Sequence, residues 1–225
     1  MNIPYIQVDE VFHVGALEVS QKARQAKWSL EAFCLSVSLH PHDWTSIAKL
    51  GGNPVWQLSR PGSLWLDVLT LKAAARANII AWAVDQGFAE PATYWRSWST
   101  DDDGEWSYIR CASLEAAEYE LDDPDEEGPC ADGSRMDVEH GHRLTELGMT
   151  ELERWQDASE CLDGVVILYA RDVISAEEPR LAGLWWGEAY DPAILSCPRG
   201  AILPSRLSQF ETVNLDEPHS DDFDI

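Results

Sequence analysis

Positive charge is the scarcest thing in this sequence. Lysine and arginine number 16 against 40 aspartates and glutamates, leaving a formal net charge of −24 over 225 residues. Such a balance favours a solvated acidic surface and repels nucleic acid, unless the acid itself imitates a phosphate backbone. Paired cysteines are also missing. Cys34, Cys111, Cys130, Cys161 and Cys197 are odd in number and far apart, with no Cys-x-x-Cys pair. That argues against a zinc ribbon and a disulfide framework, and it fits a reduced, cytoplasmic setting. No apolar run reaches the roughly 18 residues of a membrane helix, so no membrane partner is expected. The opening Met1-Asn2-Ile3-Pro4 lacks the basic region and apolar core of a signal peptide. Gly51-Gly52 is not followed by the Lys-Ser/Thr of a phosphate-binding loop, and neither a Gly-x-Ser-x-Gly elbow nor a His-Glu-x-x-His helix occurs.

What is present points to a folded chain. Hydrophobic content of 45% and 11 tryptophans are enough for a substantial core. The expected organisation is one α+β domain over 1–215, with an acidic loop insertion at about 115–140 and an acidic, mobile tail over 216–225. Short strands are predicted at 11–15, 34–38, 55–58, 94–98, 106–111, 165–169, 184–186 and 201–203. Val165-Val166-Ile167-Leu168-Tyr169 is apolar on both faces and reads as a central strand. Helices are predicted from Pro41 to Gly52, from Leu64 to Gly87, and from Leu144 to Cys161 with Leu144, Leu147, Leu152 and Trp155 inward. Within the acidic insertion, 122–135 combines self-repelling carboxylates with proline and glycine and is the expected mobile segment. The fold class that follows is α+β with a bent, mostly antiparallel, split sheet.

Several groupings invite a chemical reading. His13 lies in the apolar Val11-Phe12-His13-Val14 strand, where it is either a satisfied core histidine or a ligand-binding one. Leu35-Ser36-Val37-Ser38 puts both hydroxyls on one strand face. Tyr94, Trp95, Trp98, Trp106 and Tyr108 flank the turn residues Asp101-Asp102-Asp103-Gly104, and either pack across strands or stack an adenine or nicotinamide. Lys22, Arg24 and Lys27 form a rare basic cluster, read as a solvated face or an anion attractor. His40-His42-Asp43 and Glu139-His140-His142 lack a third metal partner at recognised spacing, so no metal is assigned.

Phe12-His13-Val14-Gly15, Leu35-Ser36-Val37-Ser38 and Pro198-Arg199-Gly200-Ala201-Ile202-Leu203-Pro204 together resemble the ADP-ribosyltransferase superfamily. The resemblance implies NAD as a substrate and an ADP-ribosyltransferase-like split-sheet fold. In that reading His13 holds the nicotinamide ribose and Gly15 lets the backbone approach. Ser36 and Ser38 line the second strand, and cleavage proceeds through a cation-like transition state. The late strand carries Arg199 where the family has its acid, so the resemblance moves the catalytic carboxylate to Glu188 or makes Arg199 a phosphate ligand. The acceptor would be a protein or nucleic-acid target. The competing expectation is an acidic inhibitor or decoy, a non-enzymatic protein that blocks the nucleic-acid-binding surface of a basic partner protein.

Overall fold

In the computed structural model, residues 2–17, 32–42, 45, 51–100, 105–121, 135–153, 161–187 and 198–216 are described, with backbone alone at 121 and 161–163. The strands are β1 (Tyr5–Gln7), β2 (Glu10–Val14), β3 (Leu35–Ser38), β4 (Val55–Ser59), β5 (Leu64–Asp67), β6 (Ala89–Thr100), β7 (Trp106–Cys111), β8 (Arg135–Leu144), β9 (Leu181–Trp186), β10 (Arg199–Ile202) and β11 (Glu211–Asn214). The helices are α1 (Ala73–Asp85), α2 (Leu114–Leu121), α3 (Glu146–Glu151), α4 (Cys161–Tyr169) and α5 (Pro204–Leu207). A π-helical turn at Ala170–Ile174 and a last turn at Ser175–Glu177 extend α4. The fold is mixed α+β with mostly antiparallel pairing; β5 and β9 are the parallel neighbours.

One sheet has the order β1-β5-β9-β10-β3-β2-β4-β11. Its two ends belong to the same pair of chain runs. β1 and β2 are one run broken at Val8-Asp9, and β4 and β5 are one run broken at Arg60–Ser63. Val8 N donates to Ser63 O at 3.3 Å and Arg60 N to Asp9 O at 2.8 Å, carrying the ladder across both breaks. β1 pairs with β5 while β2 pairs with both β3 and β4, so the pairing runs in a closed circle. Alternate side chains therefore face an enclosed interior. Val11, Leu35, Val37, Leu58, Trp65, Trp185 and Ile202 fill it, with Phe210 added from beyond α5. Trp65 meets Trp185 edge-on at 5.6 Å between ring centroids and Phe210 at 6.4 Å. Such aromatic pairs contribute about 0.5–1.5 kcal/mol each beyond the area they bury.

The outward side of β5, β9 and β10 carries Leu66, Leu184, Trp186 and Ala201, which pack against α1 and α4 through Ala75, Ile79, Ala83 and Val165–Leu168. A second sheet, ordered β7-β6-β8, is antiparallel throughout. Ala117 of α2 is fully buried where that helix crosses it.

Four expectations are corrected. Residues 165–169 belong to helix α4, not to a central strand. A short apolar run buried all round has no periodicity to separate the two forms. Leu64–Asp67 is strand β5 rather than the start of a long helix, which begins only at Ala73. Leu144 ends β8, α3 is over by Glu151, and Leu147 is 49% exposed instead of inward, whereas Leu144 and Leu152 are buried. The acidic stretch is ordered at both ends, as α2 and as β8, because Ala116, Ala117 and Leu121 support a helix and Met136, Val138 and the alternating polar residues a strand. Residues 122–134, Trp155, the basic cluster at Lys22–Lys27 and the tail over 217–225 lie outside the described residues, as does most of the 41–52 helix.

Gly183 tests the closure. A Cβ there would sit 1.9 Å from Ala201 O, on the paired strand β10. Gly183→Ala is expected to cost at least about 2–3 kcal/mol, as overpacking against rigid backbone does. The check is the urea midpoint, with the dependence on denaturant unchanged.

Candidate functional site

Strand register decides where the sequence-predicted residues go. Phe12 stands opposite Ser38, and His13 opposite Trp56. Directly opposed residues share a face, so His13 points into the enclosed interior with Val11 and Val37, while Ser36 and Ser38 point outward. His13, Ser36 and Ser38 do not line one cleft. The His13 ring is 4% exposed, with Nδ1 at 2.7 Å from Ser36 O and Nε2 at 2.9 Å from Ala16 O. Each ring nitrogen thus lies within hydrogen-bond distance of a backbone carbonyl of the protein itself, and a nitrogen that carries hydrogen donates to it.

Gly15 supports this arrangement. Its φ of +126° lies where side chains are rarely accommodated, and a Cβ would come within 3.4 Å of His13 Nε2. Its N–H donates to Pro54 O at 2.8 Å and its carbonyl accepts the Trp56 indole N–H at 2.9 Å. Glycine is needed here to seat histidine and tryptophan.

On the outward face, Ser38 and Arg199 are direct cross-strand neighbours, and Arg199 stands across from Trp186, its guanidinium 5.8 Å from that ring. Ser38 Oγ donates to Pro198 O at 2.9 Å and accepts from His40 N at 3.1 Å. Ser36 Oγ is buried, with no hydrogen-bond partner among the described residues. Glu188 lies outside the described residues. The structure thus brings Ser36, Ser38 and Arg199 together, and separates them from His13 and Gly15. Of the two histidine clusters, Asp43 is outside the described residues, and Glu139 faces away from His140 and His142 because alternate residues of β8 point to opposite sides. Among the described residues no group of three His, Cys, Asp or Glu side chains is placed to hold a metal.

A pocket of about 490 Å³ opens elsewhere, between Phe33, the end of α3, the π-helical turn and the start of α5. Thr150, Glu151, Glu153, Arg171 and Ser205 give it polar walls. Arg171 bonds Glu151 at 2.8 Å and Asp172 at 2.5 Å, and lies 5.6 Å from the Phe33 ring. Asp172 first, then Glu151, holds its guanidinium pKa above the usual range against the effect of burial. Among the described residues, two that are not glycine have left-handed backbone, Glu153 (φ 53°) in the wall and Ala32 (φ 50°) beside Phe33. Each such residue costs about 1–3 kcal/mol, and π-helical turns recur at functional sites. No sequence pattern announces this pocket, since its residues come from four separate stretches.

The third feature is the face of the second sheet carrying Tyr94, Arg96, Trp98, Tyr108 and Arg110. Arg96 makes two bonds to Asp137 at 2.7 and 2.8 Å, Arg110 makes two to Glu139 at 3.1 and 2.7 Å, and Arg143 pairs with Glu90 at 2.7 Å. Arg96 lies over both Trp98 and Tyr108, at 5.1 and 5.3 Å. No family model, curated protein or solved structure matches this chain.

Two outcomes follow. His13→Ala is expected to destabilise the fold by roughly 1–3 kcal/mol, the cost of leaving buried carbonyls unpaired, and a urea titration measures it. The Asp137 carboxyl is held below its ordinary value of 3.8, first by the Arg96 hydrogen bonds. A carboxyl depressed in the folded state stabilises above its unfolded pKa and loses that contribution as pH falls through the folded one. Asp137→Asn should therefore be less stable than wild type near pH 6, with the difference shrinking toward pH 2. A difference that stays constant across that range would contradict the assignment.

Proposed function

We propose that the chain is a non-enzymatic acidic binding protein that occupies the nucleic-acid-binding surface of a basic partner protein. The observation that supports this is the disposal of positive charge. Arg96, Arg110, Arg143, Arg171 and Arg180 are each bonded to a carboxylate of the same chain. Arg60, Arg76 and Arg206 are directed at backbone carbonyls. With 40 acidic residues against 16 basic ones, the carboxylates outside these ion pairs remain in large excess. A field of one sign attracts an oppositely charged protein surface and speeds the encounter. Around the pocket, Glu151, Glu153 and Asp172 outweigh Arg171, which favours a basic side chain there over an anion.

The ADP-ribosyltransferase reading draws on a separate observation, the grouping of Ser36, Ser38 and Arg199 beside Trp186 on one outward face. It would need NAD held on that face without His13, whose nitrogens are occupied by carbonyls on the other side.

Displacement of labelled duplex DNA from a lysine-rich, sequence-nonspecific DNA-binding protein, followed by fluorescence anisotropy, tests the proposal. The chain should release the DNA at low salt and lose that capacity as ionic strength rises past about 0.15 M, where screening acts within about 8 Å. Absence of displacement at low salt would overturn it. Release of nicotinamide from NAD by the purified chain would favour the transferase instead.

A further inference from the structure

We infer that the Trp106 end of the second sheet is a binding site for a mononucleotide, independent of the acidic-surface reading. Arg96, Arg110, Arg135 and Arg143 all project from one face of this sheet. Arg96, Arg110 and Arg143 are neutralised there by Asp137, Glu139 and Glu90. Arg135 differs: among the described residues no carboxylate lies within ion-pair distance of it. Its guanidinium is instead placed by two indole rings, 4.8 Å from the Trp98 centroid and 5.1 Å from that of Trp106. These ring contacts hold the guanidinium while, among the described residues, its N–H groups have no hydrogen-bond partner, which leaves them able to take a phosphate through two parallel hydrogen bonds.

The surroundings suit a base beside that phosphate. Trp106 is 47% and Tyr108 43% exposed, on the same face as Arg135. An open indole offers stacking to any nucleobase, so the site selects a planar ring attached to a phosphate rather than one base. A polynucleotide fits poorly. Asp137 and Glu139 occupy the next two positions on this face of β8. A phosphate track continued along the strand would meet a carboxylate within about 7 Å. The net charge of −24 further penalises a polyanion relative to a ligand carrying one phosphate.

Calorimetric titration of the full chain with AMP, adenosine, ribose 5-phosphate and a short oligodeoxythymidylate tests the inference. AMP should bind saturably with a Kd at or below about 1 mM, a weak small-ligand site. Adenosine and ribose 5-phosphate should each bind about tenfold or more weakly, because each lacks one of the two recognised groups. Arg135→Gln and Trp106→Ala both alter exposed side chains and should each weaken AMP about tenfold while leaving the urea midpoint within that of the wild type. No AMP heat at about 1 mM, AMP affinity unchanged in both variants, or tighter binding of the oligonucleotide than of AMP would each overturn it. AMP binding without nicotinamide release from NAD separates this site from transferase chemistry.

Discussion

Closure of the main sheet is the constraint on which the other features depend. The ladder between the β1–β2 run and the β4–β5 run joins the two ends of the strand order, and the enclosed space is then filled by the inward side chains of the strands together with Phe210. Trp65, Trp185 and Phe210 are the largest of the side chains that fill it. Trp185 fits because Gly200 of β10 yields room, a Cβ there lying 2.6 Å from its ring, and β9 and β10 approach closely because a Cβ on Gly183 of β9 would collide with the Ala201 carbonyl. Large rings on some positions and bare backbone on their neighbours are complementary solutions to one packing problem. The indole nitrogens are accommodated in the same scheme, with Trp65 bonded to Val8 O and Trp56 to Gly15 O, each at 2.9 Å.

His13 belongs to that enclosed layer, and its surroundings follow from its place there. A polar ring facing an apolar interior needs partners, and the edges of β3 and of the turn after β2 provide two carbonyls. The same closure sends Ser36, Ser38 and Arg199 to the opposite side, toward the layer covered by α1 and α4. The side chains of His13 and of the serines on the neighbouring strand are thereby on opposite faces of the sheet.

Charge is organised by a different principle. A chain with so few basic residues uses its arginines as internal clamps, against carboxylates on β6, β8 and the π-helical turn and against backbone carbonyls near α1, α5 and Arg60. Individually exposed pairs contribute little to stability, but Arg96–Asp137 and Arg110–Glu139 are bidentate and each arginine also lies over an aromatic ring, which restricts both partners at once. Arg135 stands apart within this pattern because, among the described residues, it touches two rings and forms no ion pair.

Much of the local structure was legible in the sequence. Alternating or short apolar runs bounded by turn residues placed β2, β3, β4, β7 and β10 within a residue or two. The alanine-rich helix was legible from Ala73 onward, and the mostly antiparallel α+β class followed from many short strands. Composition alone determined the acidic field. What failed locally was the Val165–Tyr169 run, where burial on every side removes the periodic signal. Only tertiary structure decided register, and with it the candidate site. A strand's own sequence says which residues share a face, yet not which face of a neighbour they will join. Pairing Phe12 with Ser38 instead of a residue one step away sends His13 to the far side from the serines. The pocket at Phe33 and Arg171 is equally a product of assembly, since its walls meet only after distant segments have packed.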